Sequence, residues 1–177
     1  MLKETSKKVC LVTGTRTGIG KSLSEFLAQH GHKVIMSAKN ASDCQSSLDD
    51  LTERGFSVTG LDLDLSKPEL LKEKVKEAIS IWGKIDVLIN NAAIVTPIAK
   101  LGNITPNNLG EASQINFISP VLLINHCWEY LKKSKGKILN ILSAAAIHPV
   151  EGWAAYCTTK AGLHMINQQA HLEGINY

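Results

Sequence analysis

The sequence has 177 residues, 44% of them hydrophobic, which suits one domain with a substantial core and is short for two. Its 19 basic and 16 acidic residues are spread along the chain for a net charge of +3, leaving no basic block for nucleic acid and no acidic tail. Apolar runs stop well short of the ~20 residues a membrane helix needs, the polar N-terminus carries no leader pattern, and the separated Cys10, Cys44, Cys127 and Cys157 suit reduced thiols, so a cytoplasmic protein without membrane or nucleic-acid partners is expected.

Short β-branched runs alternate with longer stretches of helical period, the pattern of a parallel sheet with crossover helices. The first strand covers Val9–Thr13, and a glycine turn leads into a helix over residues 18–30, stopped by Gly31. A second strand over 33–37 precedes a helix over 42–54, with Ser42 as its N-cap and Gly55 as its stop. The third strand covers 57–63. Ser66 then caps a third helix, with Pro68 in its first turn and an apolar stripe of Leu71, Val75, Ala78, Ile79 and Trp82. The fourth strand, 85–89, is polar only at Asp86, as a strand buried on both faces should be. A long fourth helix over 105–133 is expected to kink at Pro120. A fifth strand over 137–142 and a fifth helix over 153–172 follow, while the loop 93–103 is rich enough in Pro and Gly to border a site. Together these predict a Rossmann-type α/β domain, a doubly wound parallel sheet in three α/β/α layers.

Gly14, Gly18 and Gly20 sit where the first strand meets the first helix. There, missing side chains let the backbone turn tightly, approach a pyrophosphate and present amide donors at a positive helix end. Arg16, Thr17 and Ile19 belong to the same turn, whose G-x-x-x-G-x-G spacing departs from the general G-x-G-x-x-G fingerprint. The second strand ends in Met36-Ser-Ala-Lys-Asn40, without the acid that would accept from the ribose hydroxyls of NAD. Lys39, Ser37 and Arg16 can instead surround a 2′-phosphate, so NADP(H) is expected over NAD(H). Asp64, followed by Leu65, suits either acceptance from an adenine amino group or a helix-entry acid beside Ser66. Asn90-Asn91-Ala92 ends the fourth strand at the same sheet edge, with Asn90 read as structural and Asn91 as part of a cofactor wall.

Tyr156 and Lys160 are four apart on the fifth helix, hence on one face and one turn from each other. A phenol next to an ammonium is a proton donor for a developing alkoxide, because the positive charge stabilises the phenolate left behind. Ser143 ends the fifth strand, where its hydroxyl can hydrogen-bond a substrate carbonyl oxygen. Asn116, inside the long helix, can stabilise a local distortion and order a water next to Lys160. Taken singly, each has a plainer reading: Ser143 as a strand-end polar group, Asn116 as an exposed helix residue, Tyr156 as a rim group. The histidine pairs His30/His32 and His164/His171 lack partners at metal-ligand spacing, so no metal is expected.

Thr13-Gly-x-x-x-Gly-Ile-Gly20, Asn90-Asn-Ala92, Asn116, Ser143 and Tyr156-x-x-x-Lys160 stand in the order of the motifs of the short-chain dehydrogenase/reductase family, which the chain resembles from about Lys8 to its end. Two departures are Ala93, in place of the usual glycine of Asn-Asn-Ala-Gly, and Leu142, in place of the usual first serine of a pair. The resemblance implies a catalytic set of Asn116, Ser143, Tyr156 and Lys160, with Tyr156 and Lys160 also expected at the cofactor, where Lys160 grips the ribose. The segment from His148 to Ala161 is similar to the sepiapterin reductase and benzil reductase branch, which implies reduction of vicinal dicarbonyls or other activated ketones and a homodimer, with Trp128 of the long helix at its interface. It also implies C-terminal strands, a mobile substrate loop and a further helix beyond Tyr177, so the C-terminal strands are expected to be missing here and the fifth strand to form an uncovered sheet edge. A nucleotide-binding or dimerising module without turnover is the alternative expectation.

Overall fold

The computed structural model describes residues 7–174. Its five strands, β1 (Val9–Thr13), β2 (Lys33–Ala38), β3 (Val58–Asp62), β4 (Val87–Asn90) and β5 (Lys137–Asn140), form one parallel sheet in the order β3-β2-β1-β4-β5. Because every strand runs the same way, all carboxyl ends share one edge. The order reverses beside β1, which opens a crevice there between β1 and β4.

Alternation along the strands feeds two cores. Val9 and Leu11 of β1, Ile35 of β2 and Leu88 of β4 face α3 (Leu71–Trp82) and α5 (Ser119–Ser134). Cys10, Val12, Val34, Met36 and Ile89 face α1 (Gly18–Gln29) and α2 (Gln45–Glu53). Helix α4 (Pro106–Ser113) and α6 (Ala154–Gly174) complete the set, and the outcome is the expected three-layer α/β/α Rossmann arrangement. Leu11, Ile35 and Leu88 are wholly buried, each worth about 2 kcal/mol relative to exposure.

The amino-terminal edge is tied by Asp86. Its Oδ2 accepts from the Val9 backbone N–H at 2.8 Å and lies 2.9 Å from the Lys84 ammonium. Burial alone would raise this carboxyl, but the bonds from Lys84 and Val9 outweigh it and hold it below the ordinary carboxylate range.

Several local expectations are corrected. Residues 41–44 form a 3₁₀ turn instead of the first turn of α2, so Ser42 is not a helix cap. Asp62 Oδ1 takes the Ala41 N–H at 2.6 Å, which draws the chain into the tighter turn. Ser66 likewise caps no helix: its hydroxyl donates to Asp64 Oδ1 at 2.6 Å, and a 3₁₀ turn over Pro68–Leu70 precedes α3. The long helix breaks not at Pro120 but in a π turn over Gln114–Ile118. Proline lacks the N–H that would reach back four residues to the Asn116 carbonyl, so the wide turn forms one turn upstream of it. Strand β4 begins and ends later than the alternation predicts, β5 stops at Asn140 instead of residue 142, and β5 is a sheet edge with Leu139 exposed. Residues 1–6, the polar start on which the expectation of no leader rests, and the final Ile175-Asn176-Tyr177 lie outside the described residues. Among the described residues no helix is long and apolar enough to cross a membrane.

Candidate active site

Strand β1 delivers Thr13 to the crevice, and its hydroxyl organises the turn. Thr13 Oγ1 accepts from the backbone N–H groups of Asn91 and Ala92 at 3.0 and 3.1 Å. In return the Asn91 amide donates to the carbonyls of Thr13 and Gly14 at 2.9 and 3.0 Å. The carboxyl ends of β1 and β4 are thus locked together. Asn91 is a brace as well as a wall, and Asn90 pairs with Asn140 of β5 at 2.9 Å.

The three glycines serve different needs. A Cβ on Gly14 would lie 2.7 Å from Ala92 Cα, and one on Gly20 would collide with the Asn91 amide and the Gly14 carbonyl. Those two permit close packing. Gly18 has φ +61° and open space where a side chain would project. Thr17 precedes α1 without a side-chain cap, and no acid lies in the first turn, so among the described residues no side chain caps the amino end of this helix. An open, glycine-floored, uncapped helix start fits the phosphates of a dinucleotide.

A cleft of about 500 Å³ runs from this turn across the sheet edge, lined by Gly14, Arg16, Thr17, Ile19, Lys39, Asp64, Leu65, Asn91 and Ala92 among others. Nine of the expected cofactor residues therefore come together, while Gly20 is buried in the packing behind them, Gly18 shapes the turn, and Tyr156 and Lys160, also expected at the cofactor, are not among the lining residues. Asp64 faces the cleft, and it accepts from Ser66 N and Oγ at 3.0 and 2.6 Å. Burial raises its carboxyl, but the two Ser66 bonds and the nearby Lys39 charge more than compensate and lower it. Lys39 Nζ stands 3.7 Å from Asp64 Oδ2, so this cation already has a counter-ion.

Helix α6 carries Tyr156 and Lys160. The Lys160 ammonium is buried, donates to the Ile141 carbonyl at 2.7 Å, and lies 5.7 Å from the centre of the Tyr156 ring. Burial lowers its pKa. Ser143 follows β5 and heads a 3₁₀ turn over Ala144–Ala146, its Oγ accepting from Ala145 N at 3.1 Å. Its hydroxyl hydrogen is left for another acceptor. Asn116 is fully buried in the π turn, which removes the reading of an exposed helix residue. It accepts from Ile94 N and donates to Ile94 O, both at 2.8 Å, and donates to Thr159 Oγ1 at 3.3 Å. Ile94 lines the cleft, so Asn116 joins the cleft wall to the helix of Tyr156.

Residues not singled out in the sequence also contribute. Trp153, immediately before α6, meets the Tyr156 ring edge-on at 5.5 Å, and its place three residues before Tyr156 was the available signal. Asp43, Ile94, Glu111 and Ile115 line the cleft. No short-range pattern points to them, because each is brought there by a turn or a helix crossing. Among the described residues no group of three or more His, Cys, Asp or Glu side chains is placed to hold a metal ion.

A family profile described as short chain dehydrogenase matches residues 8–177. The chain belongs to this family. It is 31% identical over 167 residues to a benzil reductase ((S)-benzoin forming) of Bacillus subtilis, covering 89% of this chain and 64% of that protein. With a diacetyl reductase [(S)-acetoin forming] of Staphylococcus epidermidis it shares 30% identity over 170 residues, covering 94% and 65%. The crystal structure of a metagenomic short-chain oxidoreductase in complex with NADP superposes with a TM-score of 0.91 at 27% identity, covering 97% of this chain and 78% of the other. The chain thus spans slightly under two thirds of the length of the curated relatives it matches.

Proposed function

We propose that this chain is a single dinucleotide-binding domain of an NADPH-dependent carbonyl reductase, converting a ketone or vicinal dicarbonyl to an alcohol. The observation that carries the reading is the buried Lys160 ammonium one helical turn from Tyr156, in a helix tied to the cleft wall through Asn116. When bound, the nicotinamide dinucleotide supplies a hydride for the carbonyl carbon. Gly14, Arg16, Thr17, Gly18, Ile19 and Gly20 hold its phosphates, and Leu65, Asn91 and Ala92 wall its cleft. Arg16 and Lys39 favour the phosphorylated form.

Tyr156 then transfers its phenolic proton to the carbonyl oxygen as charge develops there, and Ser143 donates its hydroxyl hydrogen to the same oxygen. Lys160 keeps a positive charge beside the phenolate left on Tyr156. Asn116 positions both through Thr159, whose hydroxyl also donates to the Tyr156 carbonyl at 2.9 Å. The relatives' names denote reductases of diacetyl and benzil, both vicinal dicarbonyls, which supports this substrate class. A cytoplasmic homodimer completes the proposal: the cysteines are unpaired thiols, and the face of α5 around Trp128, whose ring packs only partly into the core, supplies the subunit contact.

The test is NADPH oxidation by the purified chain with diacetyl and with benzil, alongside Tyr156→Phe. Turnover is expected, with kcat/KM down by about 10³ in the variant while the NADPH dissociation constant stays within threefold. Tight NADPH binding without oxidation of either dicarbonyl would instead support a second reading, a nucleotide-binding or dimerising module without turnover.

A further inference from the structure

The cleft is less cationic than the second strand's ending suggests. Its lining as a whole includes two bases, Arg16 and Lys39, but three acids, Asp43, Asp64 and Glu111. Lys39 is the partner of Asp64 at 3.7 Å, and Asp64 is held in place by Ser66. Asp43 takes no part in that pair. It belongs to the 3₁₀ turn over Ala41–Cys44, which is separated by two residues from the end of β2, where a 2′-phosphate would be received.

This turn is pinned on both flanks. The Ala41 N–H donates to Asp62 Oδ1 at 2.6 Å, the Asp43 N–H to the Asn40 carbonyl at 3.0 Å, and the Cys44 thiol lies 3.2 Å from the Thr15 hydroxyl. Thr15 is itself fastened to the Ser37 carbonyl by its N–H at 3.0 Å, and the next residue is Arg16. Asp43 is therefore carried on a fixed element that is tied to the glycine turn through Thr15 and lines the same cleft as Lys39.

We propose that Asp43 sets the discrimination between the phosphorylated and unphosphorylated nicotinamide dinucleotides, opposing the 2′-phosphate and narrowing the preference that Arg16 and Lys39 create. The inference rests on the cofactor reading above and assigns a specificity role to a residue outside the strand-end positions where an acid is ordinarily sought. Its physics is like-charge repulsion at a solvent-facing site, so it should weaken as salt screens it.

The experiment is a fluorescence titration of the whole chain with NADPH and NADH, comparing wild type, Asp43→Asn and Asp43→Glu at 0.05 and 0.5 M salt. The quantity read is the ratio of the two dissociation constants. Asp43→Asn is expected to shift that ratio about fivefold towards NADPH at low salt and less at high salt, while Asp43→Glu restores the wild-type ratio. An unchanged ratio, or equal changes for both nucleotides, overturns the proposal and leaves the cofactor site standing. A wild-type chain that binds neither nucleotide overturns the cofactor reading itself, and this inference with it.

Discussion

The glycine turn and the helix of Tyr156 and Lys160 meet at one edge of one sheet, yet they are secured in opposite ways. The turn is held by backbone pressed against backbone: Gly14 against Ala92, and Gly20 against Asn91 and the Gly14 carbonyl. The side of Tyr156 and Lys160 is held by side chains that reach across elements, Asn116 to Ile94 and Thr159, Lys160 to Ile141, and Ser119 to the Leu65 carbonyl at 2.6 Å. One region should fail when atoms are added, the other when polar atoms are removed.

Gly20→Ala is the severest way to test that contrast, since its Cβ meets backbone that cannot move aside. A loss of about 3 kcal/mol is expected in urea unfolding, together with loss of NADPH binding. Asn116→Ala removes the partner of both the N–H and the carbonyl of Ile94 in a part-buried site. It should cost about 2 kcal/mol and lower kcat further than the stability loss accounts for. Gly18→Ala adds a Cβ into open space and incurs only the left-handed backbone conformation, about 1 kcal/mol. If alanine proved equally costly at positions 18 and 20 in thermal melts, the division between packing and conformational glycines would be wrong.

The smallest expected effect concerns Lys160. Because burial lowers its pKa from 10.5, the folded state bears the desolvation of a charged lysine at neutral pH. Below the lowered value the lysine is protonated in both states and that cost is complete. Between the lowered value and 10.5 the unfolded chain binds more protons, so stability rises with pH and the cost fades. Lys160→Met should therefore raise the melting temperature at pH 7, with the gain shrinking towards pH 10, while abolishing turnover. A gain independent of pH would point to packing instead.

Much of the site was legible in local spacing. The glycines of the turn, the four-residue interval from Tyr156 to Lys160, and Ser143 after a strand needed only the alternation of strands and helices to be placed at one edge. Asp43 was not legible, because reading Ser42 as a helix cap put residue 43 on a regular helix, whereas the Asp62 carboxylate draws this stretch into a 3₁₀ turn facing the cleft. Nor was the burial of Asn116. A polar residue in a helical stretch suggests exposure, and only the π turn beneath Pro120 turns its amide onto the loop at Ile94.

By itself the sequence determined the parallel α/β/α arrangement, because strand and helix periods are local properties and parallel strands demand crossovers. It also determined the membership of the family, the glycine turn, and the pairing of a phenol with an ammonium on one helix face. Only the tertiary structure decided how charge is arranged around the cleft. Strand-end residues taken one at a time suggested a cationic pocket, but Asp64 and Lys39 lie 25 residues apart in the chain and become partners only when β2 and β3 pair side by side. Electrostatics sums over everything within reach in space, and that sum does not exist until the chain has folded.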